Sequence, residues 1–199
     1  MNKALLLLTL LFFSCSSSTF NLKNDKYYIK EGKLAIIAGD KSELSAELAE
    51  QLSKSLQQCS KFDILSKKSI VAKIGNISQS IKGPFSSAYF DEIIVDYSYS
   101  DLIKIKEIQK TLDVDYLYII WNPSIVQFHR PLGIKHRAHV LTQLFKSFDF
   151  QEIGNAKYDI TYTYFGIADK PFKEAIYESA DESAKKIAAD LGMLKFKKK

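Results

Sequence analysis

The chain has 199 residues, of which 46% are hydrophobic, 26% charged and 13% aromatic. That is ample apolar material for one packed core and excludes a disordered or collagen-like chain, while two cysteines exclude a disulfide framework. The formal charge of +5 sits at the ends: Lys3 is the one charged residue of positions 1–14, and Lys195, Lys197, Lys198 and Lys199 crowd the last five, so positions 15–194 sum to zero. A neutral body excludes the basic face of a nucleic-acid reader, and residues 195–199 read as a solvated basic tail.

Met1-Asn2-Lys3 is followed by residues 4–13, ten positions with only Thr9 polar. Spanning a bilayer takes about 20 apolar residues, so residues 1–14 read as a secretory signal peptide. The run ends Phe12-Phe13-Ser14-Cys15, followed by Ser16-Ser17-Ser18-Thr19. A small residue directly before a cysteine at that border resembles a bacterial lipoprotein signal, in the relaxed form similar to spirochaetal lipoproteins, because Phe12 and Phe13 stand where leucine and a small residue are usual. The resemblance implies cleavage before Cys15, a diacylglycerol thioether on its sulfur and acylation of its new amine. An ordinary signal peptide with an incidental cysteine is the alternative. No acid occupies positions 16–19, so the enteric type of inner-membrane retention signal is missing and the outer membrane is favoured.

The polar stretch to residue 32 reads as a lipidated tether (15–32) ahead of one domain (33–194). Residues 33–38 read as a buried strand ended by Gly39-Asp40. Ser42 caps a helix with Glu43 in its first turn, and Leu44, Leu48, Leu52 and Leu56 recur on one face to near Cys59-Ser60. Residues 62–65 form a second short strand and 67–74 a short helix. Residues 75–100, broken by Gly75, Gly83 and Pro84, predict little beyond a strand piece or helix contact at Ile93-Ile94-Val95. Ser100 caps a helix whose face is Leu102, Ile105, Ile108 and Leu112. Residues 116–121 are the strongest strand signal, stopped by Asn122-Pro123. Alternation over 138–147 and from Tyr158 to Tyr164, around a turn near 150–155, predicts an antiparallel hairpin with one polar face. Pro171 opens a last helix with the stripe Phe172, Ile176, Ala180, Ala184, Ile187 and Leu191, which the hairpin packs against rather than crossing a membrane. The fold class is α/β (α+β): a single domain with a mixed sheet of about five strands flanked by three to four helices.

The segments "SELSAELAEQLSKSLQQ", "KFDIL", "KKSI" and "LDVDYLYII" follow one another in a pattern that resembles three groups of envelope domains. These are the curli secretion-channel lipoproteins, the lipoproteins that activate penicillin-binding proteins, and the amino-terminal domain of the Tol-system propeller protein. Val114 stands where the resemblance has a small residue. The likeness covers about residues 33–121 with the closing hairpin and helix. It implies a helix-flanked mixed sheet that binds other proteins or oligomerises, and it implies no catalysis.

The residues agree that no reaction is named. There is no P-loop, G-x-G-x-x-G or G-x-S-x-G, hence no cofactor motif. All three histidines fall between His129 and His139. His136 and His139 have a spacing that can share a metal, but no Asp, Glu or Cys accompanies them. The segment reads first as an exposed basic connection between strands. Arg130, Lys135, His136, Arg137 and His139 are then candidates for contact with a partner or an anion, since arginine forks onto phosphate or carboxylate. Cys59 has no local base and reads as a spectator; Gly39-Asp40-Lys41-Ser42 reads as a capping turn. The expectation is a non-enzymatic, lipid-anchored envelope protein that binds a protein partner or self-associates, attached to a membrane through Cys15. A hydrolase or small-ligand binder with an unrecognised site is the alternative.

Overall fold

A computed structural model describes residues 16–22, 31–60, 62–75, 81–89, 92–130, 133–147 and 150–164, together with Ala184 and Ile187. In chain order the elements are β1 (Ser16–Leu22), β2 (Gly32–Ala38), α1 (Glu43–Cys59), β3 (Phe62–Ile64), α2 (Lys67–Ile74), β4 (Phe85–Tyr89), β5 (Glu92–Asp96), a 3-10 turn (Tyr97–Tyr99), α3 (Leu102–Leu112), β6 (Tyr116–Arg130), β7 (Gly133–Lys146) and β8 (Gln151–Tyr164). Six strands form one sheet in the order β1-β8-β7-β6-β2-β3, and β4 and β5 pair separately. β2 runs parallel to both β3 and β6, and the remaining pairs are antiparallel. The mixed α/β class therefore holds.

Each face of the sheet is covered. On one, the α1 stripe of Leu44, Leu48, Leu52 and Leu56 packs with Leu34, Ile36, Tyr118, Ile120, Val140, Leu144 and Tyr158, and Ala184 and Ile187 of the terminal segment join the same cluster. On the other, Ile105, Ile108 and Leu112 of α3 meet Ala35, Ile37, Leu117, Ile119, Trp121, Leu141 and Phe145. Leu48, Leu52 and Leu56 are fully buried, each contributing roughly 2 kcal/mol of transfer free energy. The Ser42 side chain caps α1 by accepting the Ser45 N–H at 2.9 Å.

Several expectations need correction. Ser16–Leu22 is a strand, not tether: its residues pair from Ser16 opposite Ile160 to Leu22 opposite Gly154. The open edge of β8 supplies a ladder of partners, and Thr19, Phe20 and Leu22 suit a strand better than the serine run before them indicates. β6 does not stop at Asn122-Pro123. Its register shifts between Trp121 and Ser124, a bulge that absorbs a proline lacking an N–H. The β7–β8 turn is shorter than expected, because β8 already begins at Gln151 and Phe150 sits at φ 48°. At the hairpin base the polar face expected on β7 is not exposed: Val140 to Phe145 are all buried, including Thr142 and Gln143. α3 is capped by Asp101, whose carboxylate accepts the Lys104 N–H at 3.0 Å. Ser100 is buried and donates to Gln143 Oε1 at 2.8 Å, and Leu102 faces outward. The signal peptide, the rest of the terminal helix and the lysine tail lie outside the described residues.

Candidate functional site

A half-open cavity of about 370 Å³ lies between α1 and α2. Ile36, Ile37, Ala46, Ala49, Leu65, Ile70 and Ile74 make it apolar, and Glu50, Lys54 and Lys67 stand at it as charged groups. Lys54 reaches one oxygen of Glu50 and Lys67 the other, both at 3.0 Å, so the Glu50–Lys67 pair links the two helices. Those hydrogen bonds, from Lys54 first and then Lys67, hold the Glu50 carboxyl below its ordinary range. The arrangement suits an apolar molecule with one anionic group. No sequence signal announced it, because its walls come from helices separated by a strand.

A polar cluster lies on the α3 side of the sheet. Gln143 accepts from Ser100 and donates to Glu152 at 3.2 Å, and Asn155 donates to the other Glu152 oxygen at 2.6 Å. The Tyr97 hydroxyl donates to the Ala156 carbonyl at 2.8 Å. Burial, with Glu152 nearby, pushes the Tyr97 pKa well up, which keeps the phenol a neutral donor. Every group here is matched to another, the pattern of a cross-brace rather than of a reacting centre.

The basic segment is strand, not connection; only residues 131–132 link β6 to β7. Pairing sets Arg130 opposite Gly133, Phe128 opposite Lys135, Val126 opposite Arg137, Gln127 opposite His136 and Ser124 opposite His139. Side chains alternate faces along a strand. Arg130, Lys135, Arg137 and His139 therefore share one face, and His136 stands on the other. The His136–His139 pair is thus split, since a separation of three shares a face in a helix but not in a strand. Among the described residues no three His, Cys, Asp or Glu side chains gather to hold a metal. Cys15 and the Cys59 thiol lie outside what is described.

No protein-family model and no curated protein sequence matches the chain. Solved structures do resemble it. A proposed lipoprotein of Caulobacter crescentus CB15 is 14% identical over 80% of this chain and 88% of its own, with a TM-score of 0.44. The PelC dodecamer from Paraburkholderia phytofirmans is 9% identical over 89% of this chain and 98% of its own, with a TM-score of 0.44. A minor lipoprotein from Acinetobacter baumannii is 10% identical over 81% of this chain and 92% of its own, with a TM-score of 0.41. These are similarities of chain trace, and they assign no residue a role.

The remaining feature is an exposed apolar patch. Phe85 and Tyr99 are each about half exposed, with ring centres 5.6 Å apart. Lys82 lies over the Tyr99 ring at 5.4 Å. Ile94, placed by pairing on the same face of the β4–β5 ribbon as Phe85, is 58% exposed, and Ile103 at the start of α3 is 77% exposed. Single exposed apolar residues are ordinary; here the Phe85 and Tyr99 rings touch, and Ile94 shares the ribbon face of Phe85. Among the described residues, no helix is long and apolar enough to cross a membrane.

Proposed function

We propose that the protein is a non-enzymatic, lipid-anchored component of a bacterial cell envelope, held by diacylglycerol on Cys15. Its domain binds a protein partner or a second copy of itself through the exposed patch around Phe85, Ile94, Tyr99 and Ile103. The observation that carries this reading is the Ser14-Cys15 border at the end of a ten-residue apolar run, immediately ahead of a folded strand. The patch supports the binding role, and the matched polar cluster gives no group a reason to react. The absence of acids at positions 16–19 favours the outer membrane. Cys15→Ala abolishes incorporation of labelled palmitate and leaves the protein unprocessed or released from membranes. Retained label on that variant removes Cys15 as the acceptor.

A second reading rests on the cavity between α1 and α2: capture of a small apolar molecule carrying an anionic group. A fluorescent fatty acid then binds the protein, and Ala46→Phe, which fills the cavity from a solvent-exposed position, weakens binding at least tenfold. Equal binding by the variant defeats this reading.

A further inference from the structure

The cavity between α1 and α2 has a length of open strand edge for its floor. β3 pairs with β2 only from Gly32 to Leu34, whereas β2 runs on to Ala38. The last bond to that edge is from the Leu65 N–H to the Leu34 carbonyl, at 2.9 Å. Ser66 then caps α2 and the chain turns off the sheet. Successive residues of a strand direct their N–H and C=O groups to opposite neighbours. Lys33 and Gly39 bond toward β6, through Asp115 and Ile120, so Leu34, Ile36 and Ala38 present theirs to the other side. Ile36 and Ala38 line the cavity, and among the described residues no hydrogen bond reaches their backbone on that side.

Ile36 is 3% exposed, and buried backbone groups are matched in nearly every protein. An open edge of this kind is a template for another chain. An added strand draws affinity from the edge bonds and specificity from pockets for its alternate side chains. The space suits that use. Ala46, Ala49 and Ser53 keep the α1 wall low, and Leu65, Ile70 and Ile74 make the facing wall apolar. The volume of about 370 Å³ is more than twice the 150 Å³ or so that holds a benzene ring, and the half-open mouth lets the remainder of a longer chain leave.

The charges fix a direction. β2 and β3 are parallel, so α1 between them runs back along β2. Lys54 follows Ala46 by about 12 Å of helix, which brings it to the end of the cavity nearest β3. Lys67, just past Leu65, stands at the same end, and the two lysines share the single carboxylate of Glu50. One positive charge is therefore left over for an incoming anion.

Deepening the cavity reading above, on which this rests, we propose that the cavity receives the carboxyl-terminal end of another protein. That end lies as an added strand antiparallel to β2, bonded to Ile36 and Ala38, with its terminal carboxylate at Lys54 and Lys67. The tail of this chain is the wrong occupant, since Lys197, Lys198 and Lys199 would bring further cations to the same place. A fatty acid offers the carboxylate and the apolar chain but nothing for the Ile36 backbone to bond, and that difference separates the two ligands.

The test uses the full chain held in phosphatidylcholine vesicles. It is offered a library of hexapeptides with random apolar and threonine residues at the last three positions, once with free carboxyl ends and once with carboxamide ends, and separately decanoate. Retained peptides are identified by mass spectrometry, and amide hydrogen exchange of the protein is followed with and without each ligand. Retention of free-acid peptides at least tenfold above the carboxamides is expected. A retained peptide slows exchange at Ile36 and Ala38 at least tenfold, and decanoate leaves that exchange unchanged. Lys54→Gln/Lys67→Gln lowers retention to the carboxamide level, Lys54→Arg/Lys67→Arg restores it, and Ala46→Phe removes it. Decanoate bound with no peptide retained overturns the peptide proposal and leaves the cavity reading standing. Equal retention of both libraries, or retention without slowed exchange at Ile36, also overturns it. If neither decanoate nor peptide binds, the cavity reading and this proposal fall together.

Discussion

Trp121 closes the α3 side of the core where β6 leaves it, and two glycines make room for its ring. A Cβ on Gly39 would meet the Trp121 ring at 2.2 Å, and one on Gly83 at 2.7 Å. Neither contact can relax through a flexible chain end, because the ring is itself 1% exposed. Gly39 also donates its N–H to the Ile120 carbonyl at 2.7 Å, so the strand cannot move away without losing a bond. Gly39→Ala is expected to destabilise the fold by about 3 kcal/mol, the upper part of the range for overpacking, measured as a lowered denaturant midpoint with unchanged slope. Gly83→Ala acts in the same direction but less, its closest approach being half an ångström longer. Asp113 is a second residue whose backbone matters: at φ 55°, ψ 61° it ends α3 in the left-handed region that glycine enters at no cost. It stands two positions before the Asp115 N–H, which bonds the Lys33 carbonyl at 2.9 Å and ties the turn to β2.

The helices were legible because their apolar spacing agrees with their caps. α1 carries Ser42 ahead of leucines at every fourth position, and the structure buries all four. α2 begins after Ser66, which accepts the Ser69 N–H at 3.2 Å, and matches the short helix read over 67–74. The long ribbon was less legible for a physical reason. Its inner half is buried on both faces, which erases alternation, and its outer half mixes Ile134 and Ala138 with Lys135 and Arg137, which reads as a basic loop. β1 was missed because a serine run signals no strand by itself; the signal lies in the unpaired edge of β8, which no local window contains. The cavity was illegible for a similar reason, its walls being joined across α1 and α2 by Glu50 and Lys67. That link makes a pH prediction. The Glu50 carboxyl is held below its ordinary value of 4.5, so its contribution to stability is fully present above that value and is lost as pH falls through the lowered one. Glu50 is 35% exposed, so the contribution is small, under about 1 kcal/mol. Glu50→Gln should lower the midpoint of unfolding slightly at neutral pH and match the parent once the pH has fallen well below the lowered carboxyl value. A difference that persists at low pH assigns the loss to packing instead.

At the scale of the whole molecule the sheet has two unlike edges. β3 closes one with three residues, Asp63 at its centre exposed, a short charged edge of the kind that resists further pairing. β1 closes the other, and it is the first described element of the chain, laid against the last described strand: Ser16 and Ile160 are 144 positions apart, Leu22 and Gly154 132. Contacts of such separation form late, because the loop between their ends must close before they contribute anything. Everything from β2 to β8 can assemble while β1 waits, whereas β1 has no partner until Gln151–Tyr164 exists. In a chain that emerges amino end first, the strand that appears first is therefore the one that docks last. The open flank of β8 is then the state a chaperone or a neighbouring copy meets, and the interval before β1 arrives sets how long that flank is available to them.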